Sequence, residues 1–133
     1  MQKGTENNLD IIKSSKGALP KAPFDVLKDE ILGKKYELTL SFVTLPEIKK
    51  LSMLYKGDAT HTNVLSFPLS KNFGEIMICP DTAKKEAPKF GRTYREHLIF
   101  LVIHGMLHLD GYVHGSRMES AEKRLMQTFF RSH

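Results

Sequence analysis

The spacing of hydrophobic positions changes several times along the chain, and each change marks an element. Phe24, Leu27 and Ile31 recur at helical spacing and predict a first helix ending near Gly33. From Tyr36 to Val43 the pattern alternates, with Tyr36, Leu38, Leu40 and Phe42 on one face, which predicts a half-buried strand. Ile48, Leu51 and Leu54 or Tyr55 return to helical spacing. Two more strands are expected in NVLSFPL (63–69) and GEIMICP (74–80). Pro68 cannot donate to a ladder, so the end of the first of these belongs at a sheet edge or just past the ladder. HLIFLVIHGMLH (97–108) is almost uniformly apolar, as a buried helix is, and Met118, Ala121, Leu125 and Phe129 give a C-terminal helix one core face.

Start signals accompany these patterns. Thr44/Glu47, Thr93/Glu96 and Ser116/Glu119 have the form of capping boxes, in which hydroxyl and carboxylate satisfy the first amides of a helix. Asp81 is placed to cap a short helix over TAKKEA, and Ser14 to Gly17 reads as a loop. No internal repeat or low-complexity tract interrupts the chain. Strands alternating with helices predict an α/β or α+β layer. A length of 133 residues is that of one ordinary domain, so residues 1–133 are read as a single domain.

Composition narrows the class. At 41% hydrophobic and 26% charged, the chain is globular in character. No apolar run approaches the roughly 20 residues that span a bilayer, the longest being Leu98 to Ile103. The N-terminal stretch has no apolar core of a secretory signal. A single cysteine, Cys79, excludes an internal disulfide framework and fits a reducing compartment, so a cytoplasmic location is expected. Twenty Lys and Arg against fifteen Asp and Glu give a net charge of +5, a balance that favours polyanionic partners such as RNA.

The chemistry is concentrated in HGMLHLDGYVH, residues 104–114. His104 and His108 are one helical turn apart and therefore stand on one face. Gly111 supplies a residue able to turn left-handed, ending the helix and swinging His114 back towards them. Three imidazoles with an open fourth position are the composition of a catalytic zinc site, although nickel, copper or cobalt also suit such ligands. A zinc protease would carry its glutamate base after the first histidine, where this chain has Gly105. Glycine inside a helix costs about 1 kcal/mol relative to alanine, which suggests close packing at that point. His61, His97 and His133 read as a loop residue, a helix-surface residue and a chain terminus.

HGMLHLDGYVH, the upstream TNVLSFPL with GEIMI behind it, and Met118 after the histidines together resemble the YbeY family of bacterial rRNA-maturation endoribonucleases. The family pattern is close to H-G-x-L-H-L-x-G-Y-D-H, preceded by T-D/N-V-L-S-F-P and G-D-I segments. The likeness covers roughly residues 50–125 in the same order. It implies an α+β zincin-like domain, a small mixed sheet flanked by helices, with its metal site on a buried central helix and the following turn. It further implies one Zn2+ held by His104, His108 and His114. The implied activity is single-strand-specific, zinc-dependent RNA cleavage in 16S rRNA 3′ end processing and ribosome quality control. RNA and the ribosomal small subunit or its proteins are the implied partners, with neither DNA nor membrane expected.

Three positions depart from the family. The arginine thought to act on the RNA phosphate falls at Lys56, which keeps the charge but not the planar fork. Val113 replaces the aspartate of G-Y-D-H, and His61 stands where proline is usual. Asp110 reads as either a helix-end surface residue or a substitute for that aspartate. Asn63, Ser66 and Phe67 read as strand packing and turn formation. Arg92 and Arg95 read equally as RNA contacts or solvated positions. The leading expectation is a metal-dependent endoribonuclease with Lys56 offsetting charge on the phosphate. The alternatives are a ribosome-assembly binding factor with a mainly structural metal, and a hydrolase of peptides or small esters, against which Gly105 argues.

Overall fold

The computed structural model describes residues 8–132; residues 1–7 and His133 lie outside them. Four strands form one mixed sheet: β1 (Leu9–Lys13), β2 (Glu37–Phe42), β3 (Val64–Ser70) and β4 (Phe73–Ile78), in the spatial order β1-β2-β4-β3. β1, β2 and β4 run parallel, and β3 closes one edge antiparallel to β4. Pro68 does lie on that edge strand, next to an irregularity in the ladder between Pro68 and Ser70.

Helices cover both faces. On one face α1 (Phe24–Leu32), α4 (Tyr94–Leu109) and α5 (Ser116–Ser132) bury the main core, in which Leu38, Leu40, Phe42, Ile76 and Ile78 meet Leu98, Ile103 and Met106. On the other, α2 (Leu45–Lys56) packs through Ile48 over Val43, Leu65 and Cys79. This double cover corrects the half-buried reading of β2. Ser41, on the face opposite Leu40, is buried too, because β2 has parallel neighbours on both sides and helices above and below.

Several local expectations hold. Thr44 with Glu47 and Thr93 with Glu96 form complete capping boxes at the starts of α2 and α4. Gly33 ends α1 at φ +95°, and Met118, Ala121, Leu125 and Phe129 of α5 are all buried. Gly105 is tightly enclosed: a Cβ there would lie 3.0 Å from Ile76 Cγ2 and 3.1 Å from Ser66 Oγ.

Others shift. Leu54 and Tyr55 are exposed, and the buried stripe of α2 passes through Ile48 and Ser52. Ser52 escapes a hydrophobic count because it is polar. Its hydroxyl donates to the Asp58 carbonyl at 2.6 Å and accepts from His61 N at 3.1 Å. Asp81 does not cap α3 (Pro80–Glu86); Cys79 holds the N-cap position, and Asp81 sits in the first turn, where it suits the helix dipole. At α5 the Glu119 amide bonds the Gly115 carbonyl at 3.0 Å, so Ser116 is already helical and no Ser116–Glu119 box forms among the described residues. β1 has no sequence signal of its own; LDIIK is short, and its register against β2, Leu9 beside Leu38, comes from the pairing.

Candidate metal centre

The capping box at Thr93 starts α4, and its apolar run carries the helix through the core to Leu109. His104 and His108 project from one side of it, half-buried, towards the edge strand β3. Gly111, at φ +99°, reverses the chain after Asp110, and the Tyr112 amide bonds back to the Leu107 carbonyl at 3.0 Å. That reversal returns His114 to the other two. Its ring centroid lies 5.4 Å from that of His104 and 4.7 Å from that of His108. The three histidines offer ligand atoms that all lie within 4.8 Å of one another.

The hydrogen bonds decide which nitrogens are available. His104 Nδ1 faces Glu122 Oε2 at 2.5 Å, and His108 Nδ1 faces the Tyr112 carbonyl at 3.2 Å. A carbonyl or a carboxylate can only accept, so each Nδ1 carries the proton. Each Nε2 then holds a lone pair, and the two stand 3.2 Å apart. Two facing lone pairs repel unless a cation lies between them. Tetrahedral zinc with Zn–N bonds of about 2.0–2.1 Å holds its nitrogens about 3.3 Å apart, so the pair fits a shared ion.

Electrostatics favour the ligand form. Burial, then the neighbouring His104 and His114, and lastly Lys56 push the His108 pKa below the usual histidine value, against a smaller opposing effect of its bond to Tyr112. His108 is therefore neutral at pH 7.

Glu122 was not anticipated from the sequence. It is buried on α5, one turn after Met118 and three residues before Leu125, inside an otherwise apolar stripe. A charged residue in a core stripe is the signal that could have found it. Metal-ligating histidines are commonly oriented by such a carboxylate.

The histidines open into a cleft of about 590 Å³ walled by β3, with Lys56, His61 and Asn63 on its rim. No acidic side chain lines it among the described residues. Ser66 donates to the Gly105 carbonyl at 3.1 Å and, with Ile76, occupies the space that a glutamate at position 105 would need.

The remaining candidates separate. Lys56 reaches the cleft, and His61 is a loop residue on its wall, 3.8 Å from Asp58 Oδ1. Asn63 accepts from the Val64 amide at 2.7 Å and donates to Glu86 at 3.3 Å. Phe67 packs away from the cleft in the second core, its ring 5.1 Å from that of Tyr55. Val113 is exposed, and so is Asp110, whose charge helps to raise the Tyr36 pKa. His97 is a correction: it is 1% exposed, with Nε2 3.0 Å from Glu86 and Nδ1 3.1 Å from Arg92. α3 and the 3-10 turn that follows it (Ala87–Phe90) cover that side of α4, which its own periodicity could not show. Arg95 donates to the Lys21 carbonyl at 2.9 Å and lies over Phe129 and Phe130, so it is a structural arginine.

A mixed sheet with a buried helix and a three-histidine cluster at its edge defines the class, an α+β domain with a candidate metal centre. Comparison supplies the family. Residues 5–131 match the family model described as Endoribonuclease YbeY, and the chain belongs to the YbeY family. A relative from Finegoldia magna named Endoribonuclease YbeY is 38% identical over 95 residues, covering 66% of this chain and 62% of its own length. The chain thus spans less than two thirds of that relative. The Endoribonuclease YbeY of Methylococcus capsulatus is 33% identical over 129 residues, 90% of this chain and 84% of its own. The solution structure of TM1509 from Thermotoga maritima superposes with a TM-score of 0.67 at 29% identity, covering 93% of this chain and 90% of that one.

Proposed function

We propose that residues 1–133 form a single-domain, zinc-dependent endoribonuclease that cuts single-stranded RNA. Its place, in this reading, is the cytoplasm, in 16S rRNA 3′ end processing and ribosome quality control, with small-subunit proteins as partners. The observation that carries the reading is a pair of lone-pair nitrogens, His104 Nε2 and His108 Nε2, 3.2 Å apart in a cleft that, among the described residues, is lined by a lysine and by no carboxylate. Membership of the endoribonuclease family supports it.

His104, His108 and His114 would hold the ion, and a bound zinc supplies Lewis-acid polarisation of a phosphate oxygen and a water of lowered pKa. The residues of the chain do the rest. Glu122 and the Tyr112 carbonyl fix the tautomers that present both Nε2 atoms. Lys56 places a positive charge in the cleft, where it offsets negative charge building up on the phosphate. With no acidic side chain lining it among the described residues, the cleft admits a phosphate backbone without repulsion. Position 105 leaves no room for the glutamate that peptide hydrolysis would use as base.

The test is cleavage of a single-stranded oligoribonucleotide by zinc-loaded protein, beside His108→Ala and Lys56→Ala prepared identically. Cleavage is expected from the wild type, none from His108→Ala and a strongly reduced rate from Lys56→Ala. Equal background from wild type and His108→Ala would overturn the activity. Retained small-subunit binding in both would then support a binding factor with a structural metal.

A further inference from the structure

We propose that a second cavity, beyond Phe100 from the histidines, is a nucleobase subsite for the nucleotide flanking the cleaved phosphate. The proposal rests on the RNA-cleavage reading above and extends it to what holds the substrate.

Phe100 lines the histidine cleft and also a separate cavity of about 440 Å³ between α4 and α5. Arg92, Phe100, Glu119, Lys123, Met126 and Gln127 wall this second space. The two cavities meet again at one contact, since Glu122 reaches both the second cavity and His104. Phe100 thus borders both spaces, its ring centroid 6.1 Å from that of His104, and the proposal seats the nucleotide next to the cleaved phosphate beyond it.

Arg92 is the reason to assign a ligand. Glu86 accepts from His97 Nε2 at 3.0 Å, so the protonated nitrogen of neutral His97 is Nε2, and Nδ1 accepts from Arg92 Nη1 at 3.1 Å. The guanidinium carbon lies 4.0 Å from the centroid of Phe100 and 5.3 Å from that of Phe90. One hydrogen bond and two aromatic rings thus hold the group, and no carboxylate pairs with it among the described residues. A fixed planar cation that lines a cavity beside an aromatic ring and keeps further N–H donors is a stacking platform for a base.

The rest of the lining selects the ligand class. Glu119 and Lys123 oppose each other in charge, so the cavity does not favour an anion. Phe100 and Met126 offer flat apolar contact, while Gln127, Glu119 and Lys123 supply both donors and acceptors for a base edge. A base can enter such a slot only when it is unstacked from its neighbours, as in a single strand.

The experiment measures binding of zinc-loaded protein to a short single-stranded oligoribonucleotide and to the same oligomer with one abasic residue beside the cleaved bond. Arg92→Lys retains a donor for His97 and loses the plane; Gln127 is exposed, so Gln127→Ala leaves the core intact. Arg92→Lys is expected to weaken binding of the intact oligomer about tenfold, with a smaller loss for Gln127→Ala. Neither should weaken the abasic oligomer, and zinc content should match the wild type. Equal losses on both oligomers, or none on either, would overturn the subsite while cleavage by the wild type upheld the nuclease. A wild type that neither bound nor cut RNA would overturn both.

Discussion

His104 Nδ1 stands 2.5 Å from Glu122 Oε2, and this one contact ties the histidine-bearing helix α4 to the C-terminal helix α5. The carboxylate fixes the proton on Nδ1 and the ring orientation that directs Nε2 at the metal position. Glu122→Gln is therefore expected to weaken zinc binding by about 10–100-fold, read by competition with a chromogenic chelator. An unchanged zinc affinity in a folded variant would remove Glu122 from the site.

His104 Nε2 and His108 Nε2 face each other across 3.2 Å, so a cation that binds between them also relieves a repulsion in the fold. Zinc at a hundred times its dissociation constant should stabilise the native state by about 2.7 kcal/mol, seen as a rise in Tm. The same zinc added to His108→Ala should give a much smaller rise. Equal shifts in the two proteins would place the binding elsewhere.

Gly105 sits where a Cβ would meet Ile76 and Ser66 at 3.0 to 3.1 Å. Alanine has the better helix propensity by about 1 kcal/mol, yet overpacking of a close-packed core costs about 1–3 kcal/mol. Gly105→Ala should thus be no more stable than the wild type, by urea unfolding, and Gly105→Glu should fail to fold. A clear gain in stability for Gly105→Ala would refute the packing argument.

Lys56 supplies a point charge at the cleft where the family pattern has a planar fork. Under the proposed function Lys56→Arg should raise kcat/KM for RNA several-fold, because the guanidinium can grip phosphate through two bonds. Single-turnover cleavage rates decide this, and a lower rate for Lys56→Arg than for Lys56→Ala would argue against any phosphate contact there.

Burial pushes the Glu75 pKa above the usual carboxylate value. Its charged form is therefore disfavoured by folding. The contribution of Glu75 to stability is most favourable below its unfolded pKa and is lost as pH rises through the raised folded value. Glu75→Gln should be the more stable protein at pH 7, and its advantage should vanish in acid. Denaturant midpoints for both proteins across pH check the sign; a constant difference would disprove it.

Much of the candidate metal centre is legible in the sequence, because its geometry is local. His104 and His108 share a face by helical periodicity, and Gly111 can take φ +99° at no steric cost, so the return of His114 follows from one segment. The capping boxes at Thr44 and Thr93 are equally local, and both formed. Where a signal depended on the helix frame, as at Ser116, a start one residue earlier dissolved it.

The chain sequence by itself determined the helix that carries the ligands, the turn that completes them and the absence of a protease base. Tertiary structure decided everything that needed a second element. Glu122 reached His104 only when α5 packed on α4, and His97 became buried only when α3 and the turn after it covered that side. Likewise β1 is a strand because β2 pairs with it, and Leu54 and Tyr55 are exposed because Ser52 took the buried stripe. Periodicity records which face of an element avoids water on average; which partner arrives there, and which polar group it satisfies, is set by contacts between residues distant in the chain.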